Sequence, residues 1–163
     1  MVRGMPRWKY PLEVVKGGRV AKAMVWDAPI SRKEAYEIFK ILRGMKLSEA
    51  KSFLEGVIAK KVAVPYSRYK LSIAHKAGLP EAFPRWGSPI GRYPVKAAKY
   101  ILRLLKNLEN NAEVSGLDLE RLVIVHAAAH RGPYLKRWMP RAFGRATPKF
   151  RSLTHLEVIA KEV

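Results

Sequence analysis

At 163 residues the chain is long enough for one domain with a core of its own, and 48% hydrophobic residues exclude a wholly disordered polymer. Thirty-two Lys and Arg against 13 Asp and Glu give a formal charge of +19, which opposes compaction and calls for a polyanionic partner, nucleic acid before an anionic membrane. The absence of cysteine excludes disulfides and thiolate metal sites, and no apolar run is long enough to predict a transmembrane helix.

In chain order, residues 1–18 mix Pro, Gly, Trp and Lys without periodicity and read as an extended arm. They are basic but lack the continuous apolar run of a signal peptide, so a cytosolic protein is expected. Residues 19–26, "RVAKAMVW", predict a short strand. Ser31 and Glu34 then form a Ser-x-x-Glu capping-box pattern, and Ala35, Ile38, Phe39 and Leu42 recur at helical spacing up to Gly44. A second helix is expected over 47–61, where Leu47, Ala50, Leu54, Val57 and Ile58 repeat on one face.

Residues 62–92 break the pattern. They are rich in Pro, Gly and aromatics, contain a single acid, Glu81, and read as an irregular insertion with a binding role. A third helix is predicted from about 94 to 113. Ala98, Ile101, Leu102, Leu105 and Ala112 line one face of it. Lys96, Lys99, Arg103 and Lys106 line another, with no acid before Glu109. Such a stripe is often only a solvated face; here it adds to an uncompensated basic surface.

Two strand-like runs follow, one from Leu122 and one ending near Val163. The simplest link between them is a hairpin. It would extend over about 126–155 with its tip near 138–146, and at 3.3 Å per residue about fourteen residues of each arm would project roughly 45 Å. A domain of this size is only about 40 Å across. A lone ribbon of that length is marginal in water. From Arg121 to Leu156, both included, there is no acid but eight Lys or Arg. Phosphate contact is therefore expected, with Tyr134, Trp138 and Phe143 available to stack on unpaired bases.

"HAAAH" places His126 and His130 four apart, but on a strand, and Ala127 stands where the helical zinc motif needs Glu. No metal, no other cofactor and no catalytic residue are expected: the acids are scattered and no Gly-Lys-Ser/Thr nucleotide loop occurs.

"GPYLKRWMPRAFGRATPKFRSLTHLEV" resembles the signature of the universal large-subunit ribosomal protein L-twenty-two family. The matching positions are Gly132-Pro133, Lys136-Arg137, Pro140-Arg141-Ala142, Gly144-Arg145-Ala146 and Thr154-His155. "SRKEAYEIFKILRGMKLSEA" and "LLKNLENNAE" are similar to its first helix and to the end of its third. The N-terminal extension and the 62–92 insertion look like the archaeal and eukaryotic branch. The resemblance implies an α+β fold, a single domain of three helices on a three-stranded antiparallel sheet with a long protruding β-hairpin. It implies binding to 23S-type large-subunit ribosomal RNA in the cytoplasmic large subunit, with the body near the polypeptide exit tunnel opening and the hairpin lining the wall. Neighbouring large-subunit proteins and the nascent polypeptide are further expected contacts; a membrane is not.

The expected RNA contacts are Arg131, Lys136, Arg137, Trp138, Arg141, Arg145, Lys149 and Arg151 on the hairpin, with Lys96, Lys99 and Arg103 on the third helix. Met139, Pro140, Arg141, Ala142, Phe143, Gly144 and Arg145 form the expected tip. The competing reading is a free regulator that binds an RNA or DNA duplex.

Overall fold

The computed structural model describes residues 10–11 and 18–163. The arm expected over 1–18 therefore lies almost wholly outside the described residues. The elements are β1 (Val20–Ala28), α1 (Arg32–Leu42), α2 (Leu47–Ile58), β2 (Val64–Pro65), α3 (Leu79–Ala82), β3 (Gly91–Arg92) and α4 (Val95–Val114), then a 3-10 turn (Leu119–Arg121), β4 (Leu122–Leu135), β5 (Trp138–Pro140), β6 (Ala146–Pro148) and β7 (Arg151–Glu162).

The main sheet is three-stranded and antiparallel in the order β1-β7-β4. The helices lie on one face because the inward residues of all partners are apolar. Ala21 and Ala23 of β1, Leu122, Ile124 and Ala127 of β4, and Leu156, Val158 and Ala160 of β7 meet Ile38, Phe39 and Leu42 of α1, Leu54 and Val57 of α2, and Ile101, Leu104, Leu105 and Leu108 of α4. The small alanines of β1 let the long helix α4 approach the sheet. The outer edge of β4 is not left open. The Gly44 N–H donates to the Ile124 carbonyl at 2.8 Å and the Ile124 N–H to Met45 at 3.0 Å, so the turn after α1 covers part of that edge.

The α+β class stands as expected, with two additions. A one-turn helix, α3, starts behind Gly78 with Pro80 in its first turn, and the insertion carries the β2–β3 pair. Both are too short to leave a period in sequence. Two local expectations need correction. Ser31 sits at the N-cap of α1, but its side chain makes no capping bond. The second helix stops at Ile58, because the Lys61 and Val62 N–H groups both turn back to the Gly56 carbonyl.

The sheet becomes a ribbon at Thr154. There β1 ends, paired through Ala28, and the buried Thr154 hydroxyl donates to the Ile30 carbonyl at 2.9 Å. Beyond it β4 and β7 continue as a pair as far as Leu135 and Arg151, with an irregularity between Arg131 and Tyr134. Gly132 permits the departure: a Cβ there would meet the backbone carbon and oxygen of Leu153 at 2.9 Å. After a short break the ribbon resumes as the β5–β6 pair, Trp138 to Pro140 against Ala146 to Pro148.

Candidate nucleic-acid interface

From residue 133 to residue 152 every residue of the ribbon is exposed except Met139, which is half-buried. From Arg131 to Phe143 the chain runs about twelve residues, or about 40 Å at strand rise. The cations that sequence reasoning placed on the hairpin (Arg131, Lys136, Arg137, Arg141, Arg145, Lys149 and Arg151) are all exposed along it. Few are used internally. The Arg131 guanidinium stacks 4.9 Å from the Tyr134 ring, Arg141 reaches the Thr147 hydroxyl at 3.4 Å, and Arg151 donates to the Pro29 carbonyl at 3.3 Å.

Among the described residues the ribbon has one ring pair of its own. Trp138 and Phe150 meet edge to face at 5.7 Å, while Trp138 stays 62% exposed. Of the residues expected at the tip, Met139 and Pro140 belong to β5 and residues 141–145 make the turn. The Arg141 N–H donates to the Arg145 carbonyl at 2.8 Å, and two residues of the turn, Phe143 (φ 58°) and Gly144 (φ 65°), are left-handed. The Arg145 N–H also donates to the Ala142 carbonyl at 3.4 Å, so the chain reverses over three residues, 142–144, one more than the two-residue hairpin turn has. Glycine adopts the left-handed backbone freely; phenylalanine does so at a cost of about 1–2 kcal/mol. Phe143 is nonetheless there, 94% exposed.

On α4, Lys96, Lys99, Arg103 and Lys106 are exposed along one flank, opposite the buried Ala97, Ile101, Leu104 and Leu108. Lys51 of α2 is engaged with Glu109, so the first acid after the stripe is already neutralised within the body. The stripe and the ribbon are separate basic surfaces on one chain.

The two histidines of "HAAAH" turn out to share a carboxylate. Glu157 on β7 faces Ala128, so His126 and His130 flank it diagonally. His126 Nε2 is 2.7 Å and His130 Nε2 3.1 Å from Glu157 Oε1, and Glu157 is only 3% exposed. The alternation of β7 predicts Glu157 on a polar side, whereas it is buried there beside Ile159. Burial, then the charge of Glu157, pushes the Tyr10 phenol up. Among the described residues no group of three or more His, Cys, Asp or Glu is arranged to hold a metal.

The insertion shows what sequence reasoning missed. Glu37 of α1 is 1% exposed and receives the backbone N–H groups of Ser67 (3.2 Å), Arg68 (3.0 Å) and Tyr69 (2.8 Å) together with the Ser67 hydroxyl (3.3 Å). Three successive amides converge on one carboxylate, a backbone nest closed by a side chain of the same protein. Lys40 binds the Ser67 hydroxyl at 2.5 Å and lies 4.4 Å from the Trp86 ring. The one available signal was the spacing of Glu37 and Ile41, four apart on the flank of the apolar face; both are buried because the insertion covers them.

The described residues form an α+β body with an exposed, acid-free basic ribbon projecting from it. Comparison with known families is specific. The family described as Ribosomal protein L22p/L17e matches residues 23–161, and the chain belongs to that family. The large ribosomal subunit protein uL22 of Ignicoccus hospitalis is 58% identical over 98% of this chain and 99% of its own length. That of Staphylothermus marinus is 55% identical over the same shares, and that of Hyperthermus butylicus 56% identical over 97% and 99%. These relatives are ribosomal proteins, not enzymes.

Proposed function

We propose that the chain is a structural constituent of an archaeal-type large ribosomal subunit and that it acts by binding large-subunit ribosomal RNA. The observation that carries this reading is the ribbon: a stretch with no acidic residue between Arg121 and Leu156, its cations exposed and its side chains unburied over about 40 Å. A two-stranded ribbon of this length has no apolar layer to hold it. Phosphates supply the missing counter-surface, and bases supply partners for Trp138 and Phe143. On the resemblance of the "PRAFGRA" segment, the body sits near the opening of the polypeptide exit tunnel and the ribbon lines its wall, with Met139 to Arg145 at the inner end.

Arg131, Lys136, Arg137, Arg141, Arg145, Lys149 and Arg151 neutralise phosphates in this reading, and Lys96, Lys99 and Arg103 bind a second RNA segment from the helical side. Neighbouring subunit proteins meet the body, and the nascent chain passes the exposed Phe143. The test is sedimentation of a lysate at low and then high salt. The chain travels with the large subunit at low salt and is released progressively as salt rises; a chain that never sediments with that subunit contradicts the reading. Deleting residues 135–137 alters subunit assembly or the tunnel wall while the isolated body keeps its melting temperature.

A further inference from the structure

Between α1 and the insertion lies a pocket of about 300 Å³, lined by Ser31, Lys33, Glu34, Tyr66, Arg68, Tyr69, Leu71, Ile73 and Arg92. That volume is at the lower end for small-molecule sites. Three cations, two phenol rings and two aliphatic side chains face one concavity. The cations are held in place. Arg68 lies 5.3 Å from the Tyr36 ring and 5.6 Å from the Tyr69 ring, with those rings edge to face, and Lys33 lies 5.5 Å from Tyr69. Tyr66 is 3% exposed, and its hydroxyl has no hydrogen-bond partner among the described residues. A buried hydroxyl without a partner is costly and calls for a reason. The Tyr66 backbone leaves little freedom to relieve it: its N–H donates to Ile90 at 2.8 Å and its carbonyl accepts from Ser88 at 2.9 Å.

We infer that this pocket takes a single nucleotide extruded from the ribosomal RNA. The base lies against Tyr69 and Ile73, the phosphate meets Arg68, Arg92 and Lys33, and the base edge bonds Glu34 and, by displacing the side chains that screen it from solvent, the Tyr66 hydroxyl. This rests on the ribosomal reading above and adds a contact on the insertion. Glu34 excludes a bare phosphate as the best occupant. An acceptor in a cationic pocket suits the exocyclic amine of adenine, cytosine or guanine, which uracil lacks. Burial, and next the Glu34 charge, pushes the Tyr66 phenol well above its ordinary value, so the hydroxyl keeps its proton. The strand has a path onward. A second concavity of about 230 Å³, sharing Ser31 and Lys33 with the first, runs to Arg131, Tyr134 and Ser152 at the base of the ribbon.

The full chain is tested against a single-stranded twelve-residue oligoadenylate and the matching oligouridylate. Affinity is read by fluorescence anisotropy, contacts by ultraviolet cross-linking and peptide mass spectrometry. Wild type prefers oligoadenylate and cross-links it at Tyr66 or Tyr69. Tyr66→Phe and Glu34→Gln each weaken oligoadenylate binding about two- to tenfold and leave oligouridylate unchanged. Tyr66→Phe also melts no lower than wild type, since it removes a hydroxyl that nothing among the described residues satisfies. Equal losses for both strands, unchanged affinity, cross-links confined to the ribbon, or a lower melting temperature for Tyr66→Phe overturns the pocket. The double variant Arg141→Ala/Arg145→Ala separates the two proposals. If it weakens binding to both strands and reduces the salt slope by about 2 while the pocket variants do nothing, the pocket fails and the ribosomal reading stands. If the ribbon variant also changes nothing, that reading fails.

Discussion

Two regions of this chain share a composition and have opposite structures. The insertion at 62–92 and the ribbon beyond Gly132 are both basic, aromatic and broken by Pro and Gly. The insertion is folded against the body because the body offers it a buried acceptor. Glu37 collects three successive amides and a hydroxyl, and Lys40 and Arg68 settle over rings. The ribbon beyond Gly132 has no acid of its own before Leu156 and, among the described residues, one ring pair, Trp138 with Phe150. The difference teaches that basic aromatic segments are not unstructured by composition. What decides is whether the same chain provides the counter-charge or leaves it to a partner.

Removing the acceptor breaks the comparison most strongly. Glu37→Ala leaves three half-buried amides without their carboxylate, and charge-assisted bonds are worth about 1.5–3 kcal/mol each. A loss of about 3 kcal/mol in denaturant unfolding is expected, with the insertion becoming protease-sensitive. Arg141→Ala on the ribbon leaves the unfolding midpoint within about 0.5 kcal/mol of wild type.

Next in size is Gly132→Ala. Its Cβ meets the Leu153 backbone at 2.9 Å, and the overpacking costs about 1–3 kcal/mol. Proteolysis should then cut the ribbon faster while the core resists as before. Trp138→Ala removes the ring contact, about 0.5–1.5 kcal/mol, and loosens the distal ribbon only. Phe143→Gly acts in the other direction: it relieves the left-handed backbone and should slow exchange of the Arg145 amide while lowering RNA affinity.

The smallest effect is at high pH. The Tyr66 phenol is raised above its ordinary value of 10.0, so the folded chain holds that proton more tightly than the unfolded one. Its contribution is present in full below pH 10 and is lost as pH rises further. Thermal melts above pH 10 should fall less steeply in Tyr66→Phe than in wild type.

The body was legible in sequence because its signals are periodic. The apolar spacing from Ala35 to Leu42 and from Ala98 to Ala112 places both helices within a residue or two of where they lie. The antiparallel β4–β7 pairing followed from two strand-like runs, and the tip turn sits where Gly144 permits a left-handed backbone. The insertion's anchorage was not legible. Glu37 and Ser67 are thirty residues apart, and nothing local in either says that one carboxylate closes on three amides. Glu157 hid for a related reason. Alternation predicts an exposed acid, and only the pairing of β4 with β7 brings His126 and His130 to its two sides.

The central claim is that the body satisfies the insertion itself and leaves the ribbon to RNA. Hydrogen–deuterium exchange by mass spectrometry, run on the purified chain and on the chain in assembled large subunits, tests it directly. Slow exchange is expected for the Ser67, Arg68 and Tyr69 amides in both samples. Over residues 136–149, fast exchange is expected in the free chain and strong protection in the subunit. Equal protection of that segment in the two samples, or fast exchange of the Glu37-bound amides in the free chain, would contradict the claim.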